Sequence, residues 1–375
     1  MLEFLTLKPE AFGLDISDSS LRIAKLKKKN KRLSLASFGE ANIPPGIINK
    51  GEIQDEEALS KIIKTALTKT KGEKLRTNYI IASLPEEESF LEVIQMPKIK
   101  EEELKEAVYL EAENYIPLPI EDVYLDFQIV QPPYNHLDHL DILITALPKK
   151  IVDSYAACFK KAGLQPQVLE IESLAIARAL IKNEVSPHPL LLIDFGNNKT
   201  SFIIFSGYSV KFTRSVPISS RDFTQVIAQK LDISFEEAEI VKIKSGLEKE
   251  YRLKIKNGVE KEITPGKSSE IITPLLDNLI EEIKKCLDYY QTHIFHEHLP
   301  PDGRGIKKIL LCGGGANLKG LPEFLSLTLK IPVELGNPWA NILSVPLGKI
   351  PELSYEKSLA FTTALGLALR GIKEE

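Results

Sequence analysis

Two stretches of the chain carry one pattern of apolar and polar positions: an apolar run, a short polar turn opening on aspartate, and a second apolar run. Pro189-Leu190-Leu191-Leu192-Ile193 predicts a buried strand and Ser201-Phe202-Ile203-Ile204-Phe205 its antiparallel return. Between them lies Asp194-Phe195-Gly196-Asn197-Asn198-Lys199-Thr200. The earlier copy is Phe12-Gly13-Leu14-Asp15-Ile16-Ser17-Asp18-Ser19-Ser20, returning through Leu21-Arg22-Ile23-Ala24-Lys25-Leu26. Aligning Asp15 with Asp194 also aligns Ile16 with Phe195 and Ser17 with Gly196. A single recurrence at this separation predicts two similar domains facing each other across a cleft, since solenoid repeats are far shorter.

Helical periodicity runs through Ala58, Leu59, Ile62, Ile63, Ala66 and Leu67, with Asp55 as the expected N-cap. Tyr79 to Leu84 predicts a buried strand stopped by Pro85. Residues 86–165 then read as an inserted subdomain. It comprises a strand over Phe90 to Met96, a helix over Glu101 to Tyr115, strands over Val123 to Val130 and Leu140 to Ala146, and a helix over Ile151 to Ala162 capped by Gly163. Val168 to Leu180 starts as a strand and becomes a helix rich in small residues, either a hinge between the halves or an ordinary core helix. Beyond the second turn, Asp222 to Leu231 is helical and Ser234-Phe235-Glu236-Glu237 is a capping box. Residues 248–270 read as a mobile surface segment, and Thr273-Pro274 as the opening of a long helix reaching about His298. A strand over Lys307 to Cys312 enters Gly313-Gly314-Gly315-Ala316-Asn317-Leu318, followed by helices over Leu321 to Leu329 and Ser358 to Leu369.

Composition narrows the class. The 375 residues exceed one ordinary core, 43% hydrophobic with 27% charged residues describes a soluble globular protein, and the mixed strands and helices above make it α/β. A net charge of −4 argues against a nucleic-acid binder. The basic run from Lys25 to Arg32 reads as a solvated hairpin tip in preference to an anionic-membrane contact. Cys158, Cys286 and Cys312 are scattered, which suggests neither disulfides nor a metal cluster and fits a reducing cytoplasm. Met1 to Leu5 lacks the features of a signal peptide, and no stretch is long enough to cross a bilayer, so membrane association is expected only through a partner.

The paired turns suggest chemistry. Turn amides, hydroxyls and one carboxylate each suit a phosphate chain with bound Mg²⁺. Asp15 and Asp194 would hold the hydrated metal, and Ser19, Ser20 and Thr200 would hold phosphate oxygens. For either aspartate alone, a turn-capping role is the simpler reading. Three glycines at a strand end let a ligand touch backbone. No Walker loop, dinucleotide fingerprint or nucleophile elbow is present, and His136, His139, His293, His296 and His298 make no convincing metal site.

The order of Asp15 turn, Glu172 helix, Asp194 turn, Gly313-Gly314-Gly315 turn and alanine-rich last helix resembles the actin-like ATPase superfamily of actin, Hsp70 and FtsA. Glu101-Glu102-Glu103-Leu104 through Glu111-Ala112-Glu113-Asn114-Tyr115-Ile116-Pro117-Leu118-Pro119 to Asp126-Phe127 is similar to the PilM family of type IV pilus assembly proteins. So are Glu282 to Tyr290, Gly313 to Leu321 and Ala364 to Arg370. The resemblance implies two RNase H-like domains flanking a nucleotide cleft. Residues 1–85, 166–185 and 345–375 would form one subdomain, 86–165 an FtsA-like insertion, 186–230 with 300–344 the counterpart, and 231–299 a second insertion. It implies ATP and Mg²⁺ bound by Asp15, Ser17, Ser19, Ser20 and Arg22 on one side. The other side would use Asp194, Gly196, Asn197, Asn198, Lys199 and Thr200. Gly313, Gly314, Gly315, Ala316 and Leu318 would lie near the nucleoside with Glu282 and Lys285, and Glu172 would orient water. Ser17 and the bulky Asn197-Asn198-Lys199 depart from the family pattern, so binding is expected with hydrolysis slow or absent. It further implies a cytoplasmic scaffold, peripheral at the inner membrane, that captures the cytoplasmic tail of a PilN-type membrane protein. The tail groove is expected between the insertion and its parent domain, walled by helix 101–115 and the strand after it. Contacts with other pilus components and self-association also follow, without nucleic acid or direct membrane insertion. The alternatives are an active ATPase or sugar-kinase-like enzyme, or an FtsA-like filament.

Overall fold

The computed structural model describes residues 9–30, 32–130, 139–248, 253–256, 260–263, 266–293, 305–343 and 352–373. Met1 to Leu5, His136, His296 and His298 lie outside them. The first elements are β1 (Phe12–Ile16), β2 (Ser20–Lys29), β3 (Arg32–Asn42), the short pair β4 (Ile48–Asn49) and β5 (Glu52–Ile53), α1 (Glu56–Thr68), β6 (Lys71–Gly72) and β7 (Tyr79–Leu84). Then come β8 (Phe90–Pro97), α2 (Glu101–Ala112), β9 (Val123–Val130), β10 (His139–Pro148), α3 (Lys149–Ala162), β11 (Gln165–Ile171) and α4 (Glu172–Leu180). Next are β12 (Ser186–Phe195), β13 (Thr200–Gly207), β14 (Ser209–Val216), α5 (Ser220–Leu231), α6 (Phe235–Ser245), β15 (Leu253–Lys256) and β16 (Glu260–Ile263). The chain closes with α7 (Lys267–His293), β17 (Lys308–Cys312), α8 (Leu321–Leu329), β18 (Val333–Leu335), α9 (Tyr355–Ala360) and α10 (Thr362–Lys373).

These elements form two compact units. Unit 1 contains residues 1–187, 205–212 and 337–375, and unit 2 contains 188–204 and 213–336.

In unit 1 a six-stranded sheet runs in the order β11-β7-β1-β2-β3-β6. Strand β1 is buried along its whole length because β7 pairs with it in parallel, β2 pairs antiparallel and α10 covers it. The helix comes very close: a Cβ on Gly13 would lie 2.3 Å from the carbonyl oxygen of Ala364. Helices α4 and α10 also cross at backbone contact, since a Cβ on Gly366 would sit 1.9 Å from the carbonyl of Ala175. The small residues of both helices permit this crossing. A separate antiparallel sheet, β8-β10-β9, packs on α2 through Ile94, Leu104, Val108, Ile142 and Ile144.

Unit 2 holds a five-stranded sheet in the order β14-β13-β12-β17-β18. Every residue of β13 is buried, which accounts for the apolar run Phe202 to Phe205 at its centre. Capping boxes at Ser219–Asp222 and Ser234–Glu237 open α5 and α6.

Three expectations change. The long helix begins at Lys267 rather than Thr273, with Pro274 inside it. Its first turns are tied down, as the Ser268 hydroxyl donates to the Gly246 carbonyl and Ile272 is buried. Those contacts outweigh the one amide bond that proline forfeits. The final helix divides at Phe361 into α9 and α10. Finally, the charged segment 248–270 contains a β-hairpin, because Leu253 to Lys256 and Glu260 to Ile263 pair antiparallel.

Candidate functional site

The parallel strands β1, β7 and β11 end side by side, and polar side chains gather at their carboxyl ends, where open α/β sheets bind ligands. Asp15 is only 6% exposed. Its Oδ1 accepts from the Ser83 hydroxyl at 2.9 Å, and Ser83 Oγ in turn accepts from the Ile16 amide at 3.2 Å. The turn after Asp15 is closed by the Ser17 amide donating to the Ser20 carbonyl at 2.9 Å. The Ser17 and Ser20 hydroxyls lie 3.0 Å apart, and the Ser19 carbonyl accepts from the Ile43 amide. Asp18 is an anchor, its carboxylate accepting from the amides of Lys50 and Gly51. Arg22 sits opposite Asp15 in the β1–β2 register with its guanidinium over Phe361 at 5.9 Å. Its buried Nε has no hydrogen-bond partner among the described residues.

Glu172 opens α4 and is buried. Beside it is a carboxylate the sequence reading missed: Glu86 accepts from the Ser173 amide at 3.0 Å through Oε2, while its buried Oε1 finds no partner among the described residues. Glu86 stands first in Glu86-Glu87-Glu88, a run that looks like a solvated surface. The Pro85 stop at the end of β7 was the available signal.

In unit 2, β12 pairs in parallel with β17 so that Asp194 lies opposite Cys312, and the glycine turn follows directly. Gly313 has φ +82°, and a Cβ there would fall 2.3 Å from Asp194 Oδ1. A Cβ on Gly315 would fall 2.6 Å from the Phe195 ring. The Asp194 turn and the Gly313-Gly314-Gly315 turn, with Ala316 and Leu318 buried behind it, are therefore one cradle that tolerates no side chain at its contact. The Gly196 amide donates to the Lys199 carbonyl at 3.0 Å, and Asn197 Nδ2 donates to Asn198 Oδ1. Thr200 is buried with its hydroxyl donated to the Ile218 carbonyl at 2.6 Å, so it braces the turn.

The amides of Ser220 and Arg221, at the start of α5, donate to the carbonyls of Gly196 and Asn197. Under that helix end lies a second residue the sequence reading passed over, Lys242. Its ammonium is 2.8 Å from Ser220 Oγ, 2.7 Å from Thr224 Oγ1 and 2.8 Å from Glu239 Oε2. Burial pushes the Lys242 pKa down, opposed by Glu239. Glu282 and Lys285 pair with each other at 2.6 Å on α7, and Glu282 also accepts from Arg214 at 2.9 Å.

A third feature is a cavity of about 230 Å³ inside unit 1. Leu125 and Asp126 of β9 and Thr145 and Leu147 of β10 form one side, with Leu169, Glu170 and Ile171 of β11, Leu174 of α4 and Arg370 of α10 on the other. Strands β9 and β11 are each the last strand of their sheets, so the cavity lies between two sheet edges. The strand after Pro119 is thus a wall, whereas α2 packs on the sheet built from β8, β10 and β9. On the polar side Arg178 binds Glu170 at 2.5 and 2.9 Å, and Arg370 shares the same carboxylate.

No described helix is long and apolar enough to cross a membrane. Among the described residues no group of histidine, cysteine and acidic side chains could hold a metal on its own. His139 instead faces Gln95 at 3.2 Å and Asp141 at 3.4 Å.

Comparison with known proteins identifies the fold and the family. The structure of a PilM–PilN type IV pilus biogenesis complex matches at 28% identity and TM-score 0.76, over 98% of this chain and 99% of that one. MreB5 of Spiroplasma citri bound to AMPPNP matches at 17% identity and TM-score 0.56 over 98% of each chain, which shows the actin-like ATPase fold. The cell division protein FtsA of Enterococcus hirae is 22% identical over 89% of this chain and 81% of its own length. The model of the family described as type IV pilus assembly protein PilM matches residues 13–372, and the chain belongs to that family.

Proposed function

We propose that this protein is a nucleotide-binding scaffold of type IV pilus assembly that captures the N-terminal cytoplasmic tail of a PilN-type inner-membrane protein. The cavity between the β9 and β11 edges carries the proposal. An extended peptide entering there can hydrogen-bond to a strand edge while its apolar side chains contact Leu125, Leu147, Leu169 and Leu174. Asp126, Glu170 and Arg370 supply polar anchors. The complex whose structure this chain resembles contains a PilN partner. Held in this way, the protein sits in the cytoplasm at the inner membrane and joins other pilus components to the membrane platform.

The residues present also fit a magnesium nucleotide. Gly313 and Gly315 let their turn lie backbone-close against Asp194 and Phe195, and Arg22, opposite Asp15 in the strand register, carries a buried Nε with no hydrogen-bond partner among the described residues. Asp15 and Asp194 would hold hydrated Mg²⁺ of ATP. The Ser17–Ser20 and Gly196–Lys199 turns would hold its phosphates, with Gly313 to Leu318 at the nucleoside. When bound, Mg-ATP would supply a triphosphate for the turns to hold, and Glu172 would orient water. Its hydrolysis is proposed to be slow or absent, since the bulky second turn costs alignment before affinity.

Fluorescence anisotropy with a labelled peptide of the PilN-type tail tests the groove. Leu147→Glu is expected to weaken binding at least about tenfold by burying a charge in the cavity wall. Leu110→Glu, on the exposed face of α2, is expected to leave it unchanged. Equal binding by both variants would exclude the cavity as the tail site.

A further inference from the structure

Two basic segments far apart in sequence converge at one corner of unit 1. Strand β2 ends in Lys27, Lys28 and Lys29, all exposed, and turns through Asn30 into Arg32 of β3. Strand β6 adds to the same sheet by pairing Lys71 with Phe38 and Gly72 with Ser37, which brings exposed Lys71, Lys74 and Arg76 alongside. The two segments are joined directly, because Lys27 forms an ion pair with Glu73 and the Ser37 hydroxyl donates to the Glu73 carbonyl at 2.5 Å. Glu73 is the one acid in the two segments, and its carboxyl is held below the usual carboxylate range by the Lys27 hydrogen bond, with Lys25 and Arg76 adding to it. The ribbon is not loose: Leu26, Leu33 and Leu35 pack onto the core formed with Phe38, Phe361 and Leu365. One face of the hairpin is therefore apolar and anchored, and its end is almost purely cationic.

We propose that this corner docks on anionic phospholipid headgroups, a reading that replaces the solvated tip expected from Lys25 to Arg32 alone because the fold adds Lys71, Lys74 and Arg76 beside it. The chain as a whole carries −4, so the corner opposes the average charge and gives the molecule a preferred orientation toward a negative plane. Lysines dominate, and compact ammonium groups on flexible stems suit diffuse attraction to a charged surface rather than forked recognition of one group. Neither segment contains an aromatic side chain, so the stacking platform that single-stranded nucleic acid requires is missing. The proposal rests on the reading of the protein as a membrane-peripheral scaffold: a short captured tail holds the protein within reach of the bilayer, where a rigid basic corner can touch it.

Co-sedimentation of the full chain with vesicles tests this. Binding is expected to phosphatidylglycerol-containing vesicles at low salt, falling at least about tenfold on pure phosphatidylcholine or at high salt. The triple variant Lys28→Glu, Lys29→Glu, Arg32→Glu is expected to lose the same factor and to keep its affinity for the tail peptide. The control Lys230→Glu, Lys244→Glu, Lys284→Glu, with the same net charge on exposed positions of unit 2, is expected to keep vesicle binding. Equal binding by both triple variants, absence of binding to anionic vesicles, or tighter binding to a DNA oligonucleotide than to vesicles would overturn the proposal. Loss of tail-peptide binding by the unaltered protein, with vesicle binding intact, would instead count against the scaffold reading alone.

Discussion

Glu170 has both carboxylate oxygens taken up by arginines, Arg178 in a forked pair and Arg370 on the same side chain, and it is only 4% exposed. Arg178 also donates to the Gly366 carbonyl at 3.1 Å, so the cluster pins β11, α4 and α10 together beside the cavity. Removing one partner of such a buried pair strands the others, which costs roughly 3–5 kcal/mol. Glu170→Ala is therefore expected to lower the urea midpoint strongly. Replacing Glu170, Arg178 and Arg370 together by Leu, Met and Met should recover most of that loss; if the triple variant is no better than the single, stranded charge is not the cause. None of this pairing was legible beforehand. In Val168-Leu169-Glu170-Ile171-Glu172 the glutamate reads as the solvent face of a strand, and Arg370 lies at the far end of the chain. The aspartates of the two turns were legible because each interrupts an apolar run at the same place.

Helices α4 and α10 show what the pattern reveals at the level of elements. Their alanine-rich composition permits close approach, and the approach is closer than a methyl group allows at Gly366. Gly366→Ala must push the Ala175 carbonyl away, an overpacking that costs about 1–3 kcal/mol. Gly371, on the same helix, is a matched control, since a Cβ there meets nothing nearer than 3.5 Å. Gly371→Ala is expected to be neutral or to stabilise by about 0.5–1 kcal/mol through the helix propensity of alanine. Thermal unfolding of the two variants should move in opposite directions or differ by several degrees; equal shifts would remove the steric account. Caps were legible where the residue type itself makes the cap: the Asp55 carboxylate accepts from the Ala58 amide, and Gly163 takes φ +84° after α3. The start of α7 was not, because the contacts that offset its proline come from Gly246, a distant residue.

At the scale of the whole molecule, the two acidic turns are legible in the sequence, whereas the cavity proposed for the tail is legible only in part: the strand after Pro119 lines it and α2 does not. The turns are local objects, each a few residues between two strands. The cavity draws its lining from β7, β9, β10, α3, β11, α4 and α10, and only the fold brings Leu84, Leu174 and Arg370 together, so no short window of sequence contains it. That assembly links the two proposed ligands: α4 lines the cavity through Leu174 and begins at Glu172, next to Glu86 and two strands from Asp15. A nucleotide that shifts the start of α4 must shift a cavity wall with it. Binding free energies obey reciprocity, so Mg-ATP is expected to change tail-peptide affinity by the factor that the peptide changes Mg-ATP affinity, about fivefold or more for a coupling near 1 kcal/mol. Titration calorimetry run in both orders measures each factor. Asp15→Ala is expected to weaken Mg-ATP at least about tenfold through loss of a charge-assisted contact, while leaving tail affinity without nucleotide unchanged and insensitive to added ATP. If tail affinity is the same with and without Mg-ATP in the unaltered protein, α4 is not the link, and the cavity binds its peptide independently of the turns.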